Sequence, residues 1–221
     1  MRIEDITLLN VLTPDTRRRV LVMRRFSAGE TIFHQGSETT GLWVVLNGRV
    51  AIEHFGAQGN LTTSGIWVAG DVVGIAGLWD KSGYPGSARA LDTPTELVWI
   101  DRQAALALHQ SVPAFAMTIS QLLAERLRLV QESVASRQGR PIILQLAIVL
   151  SMLGRKTASH VRLTHEDLAN LIGTRRETIS RVLQELQRME LIEVGYGDIF
   201  VKDVARLEAM ALEPPPRSHT P

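Results

Sequence analysis

Apolar residues at helical spacing in the last third of the chain predict two short helices that meet at a tight turn. The positions that carry the pattern are Leu168, Leu171 and Ile172 before Gly173, and Ile179, Val182, Leu183 and Leu186 after it. The segment Thr164-His165-Glu166-Asp167 has the composition of a capped helix start. Two apolar runs, Leu191 to Val194 and Ile199 to Val201, follow around Gly195-Tyr196-Gly197 and predict a strand, a turn and a strand. The pattern therefore predicts a winged helix-turn-helix.

The second predicted helix has a polar face whose side chains have the chemistry of base reading. This face carries Thr174, Arg175, Arg176, Glu177, Thr178, Ser180 and Arg181. Arginine pairs with the two acceptors of guanine, glutamate accepts from the cytosine amino group, and serine serves either as donor or as acceptor. Lys156 and Thr164 complete the predicted DNA-contacting set. The alternative is that Thr174 caps the helix, Glu177 closes a capping box and the arginines are merely solvated.

Before residue 101 the pattern changes to short apolar runs separated by turn residues. The predicted strands include Thr31 to His34, Leu42 to Leu46, Val50 to His54, Ile66 to Val68 and Leu97 to Ile100. Twelve of the 17 glycines and all four tryptophans lie in this part of the chain. Many short strands predict a barrel or sandwich, whose interior is either filled or holds a small ligand. Residues 1–20 are predicted to form a short helical lead-in.

Residues 112–137 are predicted to form one long helix. Its apolar residues step by four, four, three and four, as in a coiled-coil seam: Ile119, Leu123, Leu127, Val130 and Val134. We expect this seam to pair with a second copy of the chain, and the alternative is that the helix packs on the β half as ordinary core. Gly139-Arg140-Pro141 then forms a joint. Ile142 to Leu153 is predicted to be an apolar helix that Gly154 closes.

Composition narrows the function classes. The 221 residues favour two domains, and the formal charge of +1 means that any basic surface must be local. Residues 155–188 hold seven Arg or Lys against four Asp or Glu, so the surplus falls on the helix-turn-helix. The absence of cysteine excludes disulfides and thiol catalysis. No apolar run approaches the ~18 residues that span a membrane, and no signal peptide is evident, so we expect a cytoplasmic protein without membrane contact.

The histidines argue against a metal site. All six are scattered, without the His-x-His or His-x-x-x-His pairs that mark metal ligands, so no metal or cofactor is predicted. A cupin-like metal enzyme on the same type of β fold would need two or three clustered ligands. No catalytic triad order, phosphate loop or paired buried carboxylates is evident, and we predict a non-enzyme. A protein-interaction module, whose helix-turn-helix contacts only protein, is the alternative of another class.

The order of these elements, together with four local motifs, resembles the bacterial superfamily of the cyclic-AMP receptor protein and the fumarate and nitrate reduction regulator (CRP/FNR). The resemblance covers residues 8–210, and its motifs are Phe26-Ser27-Ala28-Gly29-Glu30-Thr31-Ile32-Phe33-His34-Gln35-Gly36, Leu46-Asn47-Gly48-Arg49-Val50, Gly70-Asp71-Val72-Val73-Gly74, and Arg176-Glu177 with Ser180-Arg181. It implies an α+β fold. In that fold, residues 1–111 form a double-stranded β-helix (jelly roll), 112–138 a dimerisation helix, 139–212 a winged helix-turn-helix and 213–221 a disordered tail.

The resemblance also implies a transcription regulator. It would be a homodimer that places Arg176, Glu177 and Arg181 in the major groove of a palindromic DNA operator, with RNA polymerase as a further partner. In this family a ligand in the jelly roll changes the packing of the long helices and sets the recognition helices about one DNA turn, ~34 Å, apart. The joint at Gly139 to Pro141 is the expected place of that motion.

The ligand cassette departs from the family pattern. Cyclic-AMP binders have Glu after Gly74, where this chain has Ile75, and Arg followed by Ser or Thr where it has Tyr84-Pro85, or Pro85-Gly86 in the neighbouring register. A buried phosphate needs a cationic partner, so we expect no ordinary cyclic-AMP binding. The predicted effector pocket comprises Gly74, Ile75, Ala76, Tyr84, Pro85, Ser87, Arg89, Val130 and Gln131. Arg89 either reaches inward or faces solvent. The effector is unknown: a less polar ligand, a haem or metal, a partner protein and no ligand all stay open.

Overall fold

The computed structural model describes residues 2–55, 61–137, 141–195 and 197–212, and within them the side chains of all but residues 129, 132–137, 156, 211 and 212. The chain forms two compact units, Met1–Arg128 and Leu129–Pro221, which divide inside the long helix. The predicted joint at Gly139 and Arg140 and the predicted tail at residues 213–221 lie outside the described residues. In the part of the chain that is described, no helix is long and apolar enough to cross a membrane.

The first unit begins with two short helices and continues as strands. A 3-10 turn at Ile3–Asp5 precedes α1 (Thr7–Asn10) and α2 (Pro14–Val20). The strands that follow are β1 (Leu21–Phe26), β2 (Thr31–Phe33), β3 (Gly41–Asn47), β4 (Val50–Phe55), β5 (Leu61–Trp67), β6 (Val72–Val73), β7 (Ser87–Ala90) and β8 (Thr95–Asp101). They form two antiparallel sheets, in the orders β1-β8-β3-β6 and β2-β7-β4-β5. The α+β class and the predicted β fold of this half are thereby confirmed.

Strand β3 shows how the two cores of this unit are arranged. Successive side chains of a strand point to opposite faces of its sheet. Leu42 and Val44 accordingly join a core cluster with the helical residues Leu8 and Phe115, whereas Trp43 joins a second cluster between the sheets. Because both faces are covered, the strand is a continuous apolar run rather than an alternating one.

Two helices close the first unit, and the second continues beyond it. Helix α3 (Arg102–Ser111) is capped by Asp101, whose carboxylate accepts from the backbone N–H of Gln103 at 2.8 Å. Helix α4 (Pro113–Arg137) begins one residue later than predicted, because Val112 ends α3 and Pro113 opens the next helix. Proline is well suited to the first helical position, where its missing N–H has no partner to lose.

The second unit contains α5 (Ile142–Lys156), β9 (His160–Val161), α6 (His165–Ile172), α7 (Arg176–Arg188), β10 (Ile192–Val194), β11 (Ile199–Val201) and α8 (Val204–Leu212). Its strands pair in the order β10-β11-β9. The prediction that Gly154 closes the first of these helices is wrong, because α5 continues to Lys156. A Cβ at Gly154 would lie 3.3 Å from the side chain of Val201, so the glycine permits close packing of α5 on the wing.

Candidate nucleic-acid interface

Helix α6 is fixed at both ends by local hydrogen bonds. Thr164 Oγ1 accepts from the backbone N–H of Asp167 at 3.1 Å, and Asp167 Oδ2 accepts from the backbone N–H of Thr164 at 3.1 Å. This reciprocal pair is a capping box, as the sequence predicts. At the other end Gly173 adopts the left-handed conformation (φ 80°), and its N–H bonds to the carbonyl of Ala169 at 2.8 Å. The turn to the next helix is therefore short and defined.

Helix α7 presents one apolar and one polar face. Ile179, Val182, Leu183 and Leu186 are buried, as predicted. The alternative in which Thr174 caps this helix is wrong: the cap position is Arg175, and no side chain bonds to the first turn there. The predicted polar set divides into exposed residues, Arg175, Arg176, Glu177 and Arg181, and half-buried ones, Thr174, Thr178 and Ser180.

The polar face of α7 lines an open depression with a volume of about 420 Å³. Its lining is Arg176, Glu177, Ser180, Arg181 and Gln184, four of which the sequence predicts. Gln184 was missed, although its spacing of seven residues from Glu177 places it on the same face. Arg176, Glu177 and Arg181 are exposed, and within the described residues no ion pair involves them.

Ser180 is held by two groups inside the helix-turn-helix. Its Oγ lies 2.8 Å from Nδ1 of His165, on α6, and 3.1 Å from the backbone carbonyl oxygen of Arg176. Sequence reasoning does not single out His165, because the contact joins two helices and no local pattern marks it. Hydrogen bonds within the protein therefore fix the orientation of Ser180, which the sequence predicts to contact DNA.

The wing is a two-stranded hairpin packed beside these helices. Gly195 donates its backbone N–H to the carbonyl of Asp198 at 2.7 Å, between the two strands of the hairpin. Phe200 is exposed, and its ring lies 5.1 Å from that of His160 on the neighbouring strand. Of the two outlying DNA-contact candidates, Thr164 is exposed, and the side chain of Lys156 lies outside the described residues.

Two known domain families match the chain, one in each compact unit. The Crp-like helix-turn-helix domain matches residues 143–210, and the cyclic nucleotide-binding domain matches residues 23–112. The chain is 31% identical over 191 residues to the cyclic AMP receptor protein of Thermus thermophilus, covering 85% of this chain and 87% of that protein. The chain belongs to the CRP/FNR family. It is therefore a transcription regulator with a DNA-binding helix-turn-helix, and not an enzyme.

Further relatives agree with this assignment. The HTH-type transcriptional regulator Cmr of Mycobacterium tuberculosis is 30% identical, with 86% of this chain and 77% of that protein covered. A crystal structure of a CRP-family transcriptional regulator of Thermus thermophilus superposes with a TM-score of 0.69 at 27% identity, covering 85% of this chain and 96% of that one. FixK2 of Bradyrhizobium japonicum shares the fold with a TM-score of 0.79 at 18% identity, covering 88% and 99% of the two chains.

In this CRP/FNR regulator the predicted seam on α4 divides into a buried and an exposed part. Ile119 is 1% exposed and belongs to the core of the first unit, so its prediction as a dimer-seam residue is corrected. Leu123, Leu127 and Val130 are 39%, 60% and 52% exposed. The side chain of Val134 lies outside the described residues. The helix therefore starts as core of the first unit and then exposes apolar residues, and the pairing of those residues with a second copy stays a prediction.

Tyr84, in the predicted ligand cassette, is buried by contacts and hydrogen bonds with other residues of the first unit. Tyr84 is 1% exposed and stacks on Phe33, with ring centroids 3.8 Å apart. Its hydroxyl donates to the carbonyl of Gly41 at 2.8 Å and accepts from Trp43 Nε1 at 3.4 Å. A Cβ at Gly74 would come within 3.1 Å of the Tyr84 ring, so these two predicted pocket residues are in contact.

The remaining predicted pocket residues do not converge on a cationic clamp. Ile75 is buried in the apolar core and Ser87 accepts from the backbone N–H of Gln35 at 2.9 Å. Ala88 is part of the core, so the next residue, Arg89, points to the opposite face of β7. There its Nε donates to Glu53 at 2.9 Å. Ala76, Pro85, Val130 and Gln131 are exposed, the last two in the second compact unit.

The acidic and histidine side chains of the described residues form no group of three or more that is placed to hold a metal ion.

Proposed function

We propose that this regulator is a homodimer that recognises a two-fold symmetric DNA operator by inserting α7 of each copy into the major groove. The observation that carries the proposal is the polar face of α7, where two arginines, a glutamate and a serine line one open depression on a helix whose other face is fully buried. A recognition helix contacts base edges with residues of its first turns, and these residues lie in the first two turns. Arg181 and Glu177 carry the chemical groups that pair with guanine and cytosine.

A selection of random DNA duplexes by the full chain tests the proposal. The expected product is a palindrome whose half-sites lie about one helical turn apart. Affinity for the selected operator should fall steeply with salt, because phosphate contacts release counterions. Absence of DNA binding at low salt, with and without candidate effectors, would instead favour a helix-turn-helix that mediates only protein contacts.

The proposed dimer rests on the exposed apolar residues of α4. Leu123, Leu127 and Val130 recur at intervals of four and three, the spacing of a coiled-coil seam, and large apolar side chains in such a row favour burial against a partner. A second copy supplies the same row and fits a two-fold axis along the helix. Sedimentation of the full chain at micromolar concentration should show a dimer, and a monomer would contradict this part of the proposal.

The proposed effector is not ordinary cyclic AMP. Where the family places its phosphate-binding arginine, this chain has Tyr84, or Pro85 in the neighbouring register. Tyr84 is buried, stacked on Phe33 and hydrogen-bonded to Gly41. The nearby Arg89 is paired with Glu53 on the other face of the strand. A phosphate buried without a cationic partner is costly. Isothermal titration with cyclic AMP should therefore show no saturable binding at micromolar concentrations, and saturable binding there would overturn this statement.

RNA polymerase is the proposed second macromolecular partner, on the strength of family membership alone. Transcription in vitro from a template that carries the selected operator upstream of a promoter should change with addition of the regulator. An unchanged transcript level with the operator occupied at every tested distance would remove RNA polymerase from the proposal. The direction of the change distinguishes activation from repression.

A further inference from the structure

The hydroxyl group of Ser180 has a restricted role in base reading because its hydrogen is already engaged. A serine hydroxyl has one hydrogen and two lone pairs. Beside its bond to Cβ, the oxygen has three directions, and the protein fills two of them with the carbonyl of Arg176 at 3.1 Å and Nδ1 of His165 at 2.8 Å. The third direction is the one left for a partner outside the protein.

Both tautomers of His165 lead to the same outcome for that third direction. If Nδ1 carries a hydrogen, it donates to Ser180 Oγ, and the serine hydrogen goes to the Arg176 carbonyl. If Nδ1 is bare, it accepts the serine hydrogen itself. In either arrangement the third direction of the Ser180 oxygen holds a lone pair. Ser180 therefore offers DNA a hydrogen-bond acceptor and not a donor.

An acceptor at this point selects bases by their amino groups. In the major groove only adenine N6 and cytosine N4 donate, whereas guanine and thymine present acceptors. A keto base at the position of Ser180 requires the hydroxyl to give up one of its bonds within the protein. Ser180 lines the same depression as Arg181 and Glu177, so it lies where the proposed function places base contacts.

We propose that Ser180 reads its base only as a hydrogen-bond acceptor, and that His165 is the positioning residue that keeps it in this state. The base that the Ser180 hydroxyl contacts is therefore the adenine or the cytosine of its base pair. This inference rests on the proposed function, since it requires α7 to lie in the major groove.

The first measurement is the affinity of the full chain for its selected operator and for operators that lack single amino groups. Adenine is replaced by purine, or cytosine by 2-pyrimidinone, at each half-site position in turn. The wild type should lose about five- to tenfold in affinity at the base read by Ser180, the worth of one hydrogen bond, and should also lose affinity at a cytosine read by Glu177. S180A should show less than about a twofold change for the replacement at the Ser180 base, and S180T, which keeps the hydroxyl, should retain the wild-type loss.

Substitutions at His165 test the positioning role. H165A removes one of the two protein partners of the Ser180 oxygen, so the hydroxyl can also turn toward an acceptor on DNA. The ratio of affinities for operators with the amino-bearing base and with guanine or thymine should therefore fall to about half or less of the wild-type ratio. H165N should restore it, because the asparagine amide nitrogen occupies the place of Nδ1 and donates in the same way. E166A is the matched control, since Glu166 is the exposed neighbour on the same turn of α6. Circular dichroism of each variant establishes that the domain is folded.

The outcomes separate this inference from the proposed function. If S180A abolishes the affinity loss caused by removal of no single amino group, on either strand of the operator, the inference is overturned and the proposed function stays intact. Equal losses of H165A on operator and random DNA would show that His165 contacts phosphates, and would also overturn its positioning role. Selection of no preferred sequence would overturn both.

Discussion

Arg181 lies on the exposed face of α7, and its chemistry makes it the strongest single reader of sequence in the proposed interface. A guanidinium that pairs with the two acceptors of guanine contributes about 1–3 kcal/mol of discrimination. Arg181→Ala should therefore weaken binding to the selected operator by that amount and leave binding to random DNA nearly unchanged. Fluorescence anisotropy on both duplexes measures the two affinities.

Lys156→Ala is the companion to that substitution. Removal of a lysine that contacts phosphate should weaken binding to all DNA sequences about equally. It should also reduce the dependence of log affinity on log salt concentration by about one. Equal losses on operator and random DNA for Arg181→Ala as well would remove its base-reading role.

The hydroxyl of Tyr84 is the polar anchor of a buried aromatic cluster. It bonds to both backbone groups of Gly41, at 2.8 and 3.2 Å, and accepts from Trp43. Tyr84→Phe leaves the Gly41 and Trp43 groups without this partner in the core, so the free energy of unfolding should fall by about 1–3 kcal/mol. Urea unfolding followed by tryptophan fluorescence measures the change.

Ser120→Ala is the control for Tyr84→Phe. It also removes a hydroxyl, but one that lies on the exposed side of α4 and bonds only to the carbonyl of Ala116 in its own helix. Its effect should be within about 0.5 kcal/mol. An equal stability of Tyr84→Phe and wild type would contradict the anchoring role of the tyrosine.

At the scale of elements, the two helices of the helix-turn-helix begin differently, and this difference is measurable. Thr164 closes a reciprocal capping box with Asp167, whereas Thr174 precedes an uncapped helix. Thr164→Ala should lower the stability of the second unit by about 1 kcal/mol, because it leaves a backbone N–H of α6 without its side-chain acceptor. Thr174→Ala should lower it by less than about half as much. Thermal melting of both variants gives the comparison, and equal destabilisation would mean that Thr174 contributes a cap after all.

Element positions follow well from periodicity, while their ends follow less well. The apolar spacing predicted α6, α7 and the wing strands, since each needs only the local pattern of buried positions. The end of α5 was misplaced at Gly154, a residue whose small size serves packing against Val201. A glycine that ends a helix and a glycine that admits a neighbour look identical in sequence, because the neighbour comes from a distant segment.

At the scale of the whole molecule, the exposed part of the α4 seam is the surface through which we propose that two copies associate. Of the three exposed seam residues whose side chains are described, Leu123, Leu127 and Val130, Leu127 is the most exposed, at 60%. Leu127→Asp would place a carboxylate in a dry interface, where an unpaired charge is costly. The variant should sediment as a monomer and bind the palindromic operator at least about tenfold more weakly, since the two half-sites would no longer be bound by one linked pair.

Met23→Asp is the matched control for this variant. Met23 is also exposed, at 48%, but it lies on strand β1 and is not part of the α4 seam. We expect it to remain dimeric with wild-type affinity for the operator. A dimeric Leu127→Asp protein would mean that the copies meet elsewhere.

The sequence by itself determined the order of the elements, the family and the polar face of the recognition helix. These depend on period-2 and period-3.6 patterns and on motifs of a few residues, all of which are local along the chain. The sequence alone therefore identifies Arg176, Glu177, Ser180 and Arg181 as one group, and the four residues line one depression in the structure.

Only the tertiary structure decided which groups these residues meet. The seam pattern on α4 is the same whether a residue packs on its own chain or faces outward, and the fold placed Ile119 in the core and left Leu127 exposed. The hydrogen bonds of Tyr84 with Gly41 and of Ser180 with His165 join segments that are separate in sequence. The sequence left the serine free to donate or accept, and the placement of α6 beside α7 reduced it to an acceptor.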